Sequence, residues 1–120
     1  MKRLAVVEDN LDNQLLVEAI LSAHYDLTLY DNGAVALEGI RSDCPDLVLL
    51  DISLPEMDGT EVLKHIRADD TIGALPVIAL TAHAMAGDRE KYLGLGFDGY
   101  VTKPIEDEQV LLSLIEALLS

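Results

Sequence analysis

Leu47-Val48-Leu49-Leu50-Asp51 is a short apolar run that ends on a carboxylate. It is apolar at every position before Asp51 and does not alternate, which is the pattern of a parallel strand covered by helices on both faces. Val77-Ile78-Ala79-Leu80 has the same character and ends on Thr81. Working outward, Leu4-Ala5-Val6-Val7 runs into Glu8-Asp9-Asn10, and Gly99–Thr102, with Tyr100-Val101 at its centre, runs into Lys103-Pro104. Leu27–Tyr30 completes a set of five strand candidates.

Helical patterns fill the intervals. In the first, Leu11, Leu15, Leu16, Ala19 and Ile20 share one face, expected to be the buried one, and Asn10 or Asp12 is placed to cap it. A second spans about Ala34 to Arg41, started near Asn32-Gly33 and ended before Pro45; a third starts at Gly59-Thr60 and carries Val62, Leu63 and Ile66. Asp58-Gly59 fits the turn that opens it. The fourth, roughly Met85 to Leu95, is weakened by Gly87, Gly94 and Gly96. The last begins near Glu106-Asp107 and carries Val110, Leu111, Leu114, Ile115 and Leu118.

Five strand–helix units without a composition break predict one doubly wound α/β domain over residues 1–120, with right-handed crossovers placing helices on both faces. Periodicity does not fix the strand order. Half of the 120 residues are apolar, enough for a packed core. No apolar run reaches the roughly 20 residues of a membrane span, and Met1-Lys2-Arg3 leads straight into a strand, so a cytoplasmic protein is expected. Cys44 is alone, which excludes an internal disulfide and agrees with a reducing compartment.

Acidic residues number 22 against 8 basic, a net charge of −14. Such a surface repels nucleic acid, whose binding depends on clustered Lys and Arg, and anionic membranes for the same reason. Proteins and cations are the expected partners.

Polar groups just past buried strands converge at one edge of a parallel sheet, where these folds bind ligands. Here the groups are Glu8, Asp9, Asp51, Thr81 and Lys103. Loops that bind phosphate directly are glycine-rich and neutral or basic, whereas Glu8-Asp9-Asn10 repels an anion and calls for a cation first. Two like charges about 4 Å apart cost roughly 1 kcal/mol in water and about 4 kcal/mol at an effective dielectric of 20, so the cluster is hard to explain as structural. Mg²⁺ suits it, since that ion takes one or two carboxylates, keeps waters and accepts a phosphate oxygen. Asp51 is the best nucleophile candidate, because a carboxylate can accept a phosphoryl group as an acyl phosphate. Lys103 and Thr81 are suited to neutralise and bind the remaining phosphoryl oxygens.

Together these residues resemble the receiver domains of two-component response regulators, which share the flavodoxin-like fold of the chemotaxis regulator. The matching segments are Val7-Glu8-Asp9-Asn10, Leu50-Asp51-Ile52-Ser53-Leu54-Pro55-Glu56-Met57-Asp58-Gly59, Leu80-Thr81-Ala82 and Gly99-Tyr100-Val101-Thr102-Lys103-Pro104. Asn10-Leu11-Asp12-Asn13-Gln14 is most similar to receivers of hybrid histidine kinases and of stand-alone DivK-type regulators. The resemblance implies strand order 2-1-3-4-5 and a switch, not an enzyme with a substrate of its own. It implies Asp51 as phosphoacceptor, with Mg²⁺ held by Glu8, Asp9, Asp51 and the Ser53 backbone carbonyl. It implies that Thr81 and Lys103 bind the phosphoryl group, that Tyr100 moves on activation, and that the Lys103-Pro104 bond is cis. The implied donor is a histidine kinase or histidine phosphotransfer protein. The implied downstream contact is a protein bound at the face of the fourth helix, fifth strand and fifth helix.

Other readings fit less well. A haloacid-dehalogenase-like phosphatase wants an acidic residue two positions after its nucleophile, where Ser53 stands. A flavodoxin-like electron carrier wants a Ser/Thr/Gly-rich loop in place of Glu8-Asp9-Asn10 and aromatics beside the flavin; the chain has no Trp and one Phe. A non-phosphorylated receiver-like scaffold is opposed by the intact acceptor set. His24, His65 and His83 lack metal-ligand spacing, although His83, two residues past Thr81, could influence access of water to an acyl phosphate.

Overall fold

The computed structural model describes residues 1–82, 87–103, 105 and 107–119. In chain order the elements are β1 (Arg3–Val7), α1 (Leu11–Leu21), β2 (Asp26–Tyr30), α2 (Gly33–Asp43), β3 (Leu47–Asp51), α3 (Gly59–Ala68), β4 (Val77–Thr81), α4 (Asp88–Leu95), β5 (Gly99–Thr102) and α5 (Glu108–Leu119). The strands form one parallel sheet in the order β2-β1-β3-β4-β5. This is the doubly wound, flavodoxin-like α/β arrangement, and the point at which the strand order reverses lies between β1 and β3.

Period-2 alternation divides each strand between two cores. Ala5, Val7, Val48, Leu50, Val77 and Ala79 join Ala36, Ile40, Val62, Ile66 and Tyr92, so α2, α3 and α4 cover that face. Leu4, Val6, Leu47, Leu49, Ile78, Leu80 and Val101 join Val17, Leu21, Leu111 and Ile115, which brings α1 and α5 to the other. β1, β3 and β4, covered on both faces, are apolar almost throughout.

Helix starts follow their capping residues. Asn10 accepts from the Asn13 N–H at 3.1 Å, Asn32 from the Val35 N–H at 2.9 Å, and Asp58 from the Glu61 N–H at 3.0 Å and the Thr60 hydroxyl at 2.6 Å. Each satisfies a backbone donor left open in the first helical turn. The described part of the fourth helix begins at Asp88, later than expected from Met85, which is outside the described residues together with Ala86.

The first helix departs from its sequence reading. Val17 and Leu21 are its buried residues and Ile20 packs beside them, whereas Leu11 is 65% exposed, Leu15 55% and Leu16 37%, and Ala19 is exposed as well. The helix is apolar on nearly every side, so periodicity alone does not choose a face. The short Glu8–Asn10 connection and the Asn10 cap set its rotation, and they turn half-buried Asn13 and Gln14 inward. On α5, Leu111 and Ile115 are buried as expected, but Val110, in the first turn, is 56% exposed.

Candidate functional site

Parallel pairing brings the ends of β1, β3, β4 and β5 to one sheet edge. Val7 pairs with Leu50, Asp51 with Leu80, and Thr81 with Thr102. Glu8 therefore stands one residue past β1, Asp51 and Thr81 close β3 and β4, and Lys103 stands one residue past β5. Backbone hydrogen bonds extend the edge: Glu8 N–H to the Tyr30 carbonyl at 2.9 Å, Ile52 N–H to Leu80 at 2.9 Å, and Lys103 N–H to Thr81 at 2.7 Å.

Glu8, Asp51 and Thr81 are the buried polar or charged residues among those described, while Asp9 is exposed. One carboxylate oxygen each from Glu8, Asp9 and Asp51 lie within 4.8 Å of one another. Oxygens bound to a single Mg²⁺ lie at most about 4.2 Å apart, twice its ~2.1 Å bond length, so the cluster is close to the size needed. Its donors are all hard anionic oxygens, which fit Mg²⁺ and offer nothing to a soft metal. Among the described residues no other group of carboxylate, imidazole or thiol ligands gathers this way.

Each buried acid has its own support. The Lys103 ammonium lies 2.9 Å from Glu8 Oε1 and 3.0 Å from Asp51 Oδ2. The Asn10 N–H donates to Glu8 Oε2 at 3.1 Å, and the Ser53 N–H to Asp51 Oδ1 at 3.0 Å. Burial, with Asp51 alongside, raises the Glu8 pKa from 4.5 to about 6, although Lys103 and the Asn10 N–H pull it down. Burial disfavours the Lys103 ammonium, but its hydrogen bonds and charge contacts with Glu8 and Asp51 outweigh that and raise its pKa.

The loop after β3 is held by a close approach. A Cβ on Gly59 would collide with the Asp51 carbonyl oxygen, and the Gly59 N–H donates to the Ile52 carbonyl at 2.9 Å. A glycine is therefore required where α3 starts behind the end of β3.

Of the sequence-predicted site residues, Glu8, Asp9, Asp51, Thr81 and Lys103 meet at this edge, and Ser53 touches Asp51 through its N–H. Tyr100 is half-buried on β5, its ring stacked on Tyr92 with centroids 5.7 Å apart and planes 21° apart. Its pKa is raised by burial and then by the Asp88 charge. His83 and Pro104, with the expected cis bond before it, lie outside the described residues. Sequence reasoning did not single out Tyr92, which sits in the glycine-poor centre of a weak helix, or Gln14, whose carboxamide donates to the Glu8 carbonyl.

Comparison with known proteins agrees with this geometry. Residues 4–116 match the response regulator receiver domain. The polar-differentiation response regulator DivK of Brucella anthropi is 43% identical over 105 residues, covering 87% of this chain and 85% of that protein. A putative response regulator from Chloroflexus aurantiacus superposes with a TM-score of 0.91 at 27% identity, covering 98% of this chain and 97% of the other. The receiver domain of the Pseudomonas aeruginosa sensor histidine kinase PA1611, whose crystal structure has a magnesium ion in its active-site cleft, gives 0.86 at 35% identity, over 99% and 98%. The chain belongs to the receiver domains of two-component signalling. Among the described residues no helix is long and apolar enough to cross a membrane.

Proposed function

We propose that residues 1–120 form one receiver domain that works in the cytoplasm as a phosphorylation switch, with Asp51 as the acceptor. The observation that carries this is a buried Asp51 carboxylate at the sheet edge, flanked by two further acids and touched by one ammonium. In the proposed step a carboxylate oxygen of Asp51 attacks the phosphorus of a phosphohistidine on a kinase or phosphotransfer protein. The P–N bond breaks, its electron pair leaves with the imidazole, and an acyl phosphate remains. Bound Mg²⁺, held by Glu8, Asp9, Asp51 and the Ser53 carbonyl, would supply the positive charge needed to bring a phosphoryl group to three carboxylates. Lys103 is assigned to one phosphoryl oxygen and the Thr81 hydroxyl to another.

Output is proposed to be a protein contact on the α4, β5 and α5 face, through a shift of Thr81 toward the phosphoryl group and of Tyr100 inward. The domain is then a switch that phosphorylates and slowly dephosphorylates itself, with no further substrate. The exposed leucines of α1, the helix that starts beside Asp9, support protein docking near the acceptor, since apolar side chains grouped on a surface mark contact sites.

Incubation with acetyl phosphate and Mg²⁺ tests the acceptor. Wild type should gain one hydroxylamine-labile phosphoryl group, and EDTA or Asp51→Asn should abolish it. Full labelling of Asp51→Asn would rule out this assignment.

A further inference from the structure

Glu8 is held at every polar group. Its N–H donates to the Tyr30 carbonyl, its carboxylate meets Lys103 and the Asn10 N–H, and its backbone carbonyl accepts from the Gln14 side chain. Asp51 is held by Lys103 and the Ser53 N–H. Asp9 differs: among the described residues no group bonds its exposed carboxylate, yet one of its oxygens lies with those of Glu8 and Asp51. With no side-chain partner to orient it, its reach toward the cluster starts from where its backbone places it.

The Glu8 carbonyl and the Asp9 N–H belong to one planar amide. Fixing the carbonyl fixes the plane from which the Asp9 side chain departs. Gln14 does this from the inner side of α1, where a half-buried polar residue occupies a place that an apolar residue could fill. The Asn10 cap and the Gln14 N–H bond to the Asn10 carbonyl at 3.0 Å hold the first turn in position for it.

We infer that Gln14 is a positioning residue for the metal site: its carboxamide locks the Glu8–Asp9 peptide plane and so aims the Asp9 carboxylate at the cation shared with Glu8 and Asp51. This rests on the proposed metal site and adds to it a residue that touches neither metal nor phosphoryl group. An unlocked plane lets Asp9 sample directions that miss the cation, and that freedom must be given up on binding.

The test is Mg²⁺ titration of the whole domain, followed by amide NMR shifts, in wild type, Gln14→Met, Asp9→Asn and Leu15→Ser. Gln14→Met keeps the length and loses the donor. It should raise the Mg²⁺ Kd about threefold to tenfold, the range expected for one lost hydrogen bond, while the melting temperature in EDTA stays near that of Leu15→Ser, an outer-face control on the same helix. Gln14→Asn keeps the carboxamide one methylene short and serves if Gln14→Met does not fold. In EDTA, a scalar coupling across the hydrogen bond between the Gln14 amide and the Glu8 carbonyl carbon should be present in wild type. A Kd changed less than threefold in Gln14→Met, or in Gln14→Asn where Gln14→Met does not fold, or absence of that coupling, overturns the positioning role while leaving the metal site standing. An Mg²⁺ affinity unchanged in Asp9→Asn overturns the metal site itself, and the positioning role with it.

Discussion

The Lys103 ammonium touches Glu8 Oε1 at 2.9 Å and Asp51 Oδ2 at 3.0 Å, so one cation serves two buried carboxylates. The pocket is left one negative charge in excess even before exposed Asp9 is added. Removing the cation and removing one acid should therefore act in opposite directions. Lys103→Met leaves both acids buried without their counter-charge. Breaking a buried pair this way costs about 3–5 kcal/mol, and uptake of a proton by Glu8 should bring the loss to the low end. Asp51→Asn leaves a neutral Glu8–Lys103 pair and should raise the melting temperature in EDTA at neutral pH, by roughly 3–6 °C per kcal/mol of relieved repulsion. Melting curves in EDTA and in millimolar Mg²⁺ check both. Wild type should gain from Mg²⁺ by about 2.7 kcal/mol at 100 times its Kd, and Asp51→Asn much less. If Asp51→Asn melts below wild type in EDTA, Asp51 makes a net favourable structural contact and the excess-charge account is wrong.

Glu8 should give the metal-free protein a distinctive pH dependence. Its pKa is raised from 4.5 to about 6, chiefly by burial. The folded state therefore holds the Glu8 proton more tightly than the unfolded state does. That stabilisation is fully present below about pH 4.5 and is lost as pH rises through about 6, a change on the order of 2 kcal/mol. Denaturant unfolding in EDTA at stepped pH should show stability falling across this window, against the rise usual for paired carboxylates. Glu8→Gln, which cannot titrate, should flatten the fall; an unchanged profile would mean that another group titrates there.

Much of the site was legible because the chemistry-bearing residues lie beside the strands. Asp51 and Thr81 end runs that are apolar at every position, and Glu8 and Lys103 stand one residue beyond theirs, so placing the strands placed the residues. Periodicity did not give the strand order, since parallel register depends on how crossovers pack and not on any one run; the receiver resemblance implied 2-1-3-4-5, and the sheet has that order. The buried face of α1 differs from the one its apolar pattern predicts, for a related reason. Leu11, Leu15 and Leu16 carry the stronger apolar signal, but the Asn10 cap and the inward Gln14 bond set the rotation and turn Val17 and Leu21 to the sheet. The stacking of Tyr100 on Tyr92 joins residues on two elements and has no signature in either.

Thr81 should separate phosphorylation from its consequence. Its side chain is buried at the end of β4, its carbonyl accepts the Lys103 N–H, and β5, which carries Tyr100, pairs directly beside it. Moving a two-state equilibrium from 1:99 to 99:1 takes about 5.5 kcal/mol, which two or three charge-assisted hydrogen bonds of roughly 1.5–3 kcal/mol each can supply. Thr81→Ala removes the one proposed for this hydroxyl. It should still accept a phosphoryl group at Asp51 from acetyl phosphate, yet show a reduced NMR response of the Tyr92 and Tyr100 rings to beryllofluoride. A full ring response in Thr81→Ala would disconnect this hydroxyl from the switch.

The exposed leucines of α1 should matter to a protein donor and not to a small one. Leu11 and Leu15, four residues apart on one helix face, stand well exposed on the helix whose cap follows directly on Glu8-Asp9. In the proposed transfer, a phosphohistidine reaches buried Asp51 only if the protein that carries it approaches this edge, and apolar side chains grouped there offer contact area along that approach. Acetyl phosphate needs no such surface. Leu15→Ser and Leu11→Ser, or the pair together, should therefore leave acetyl-phosphate labelling of Asp51 and the melting temperature close to wild type, because neither side chain contributes to the core. Transfer from a cognate phosphorylated histidine protein should fall, by tenfold for each 1.4 kcal/mol of lost contact. The two labelling rates, measured side by side on the same preparations, decide it. Equal losses with both donors would mean that the substitutions disturb the acceptor pocket itself, and no loss with either would remove α1 from the docking surface.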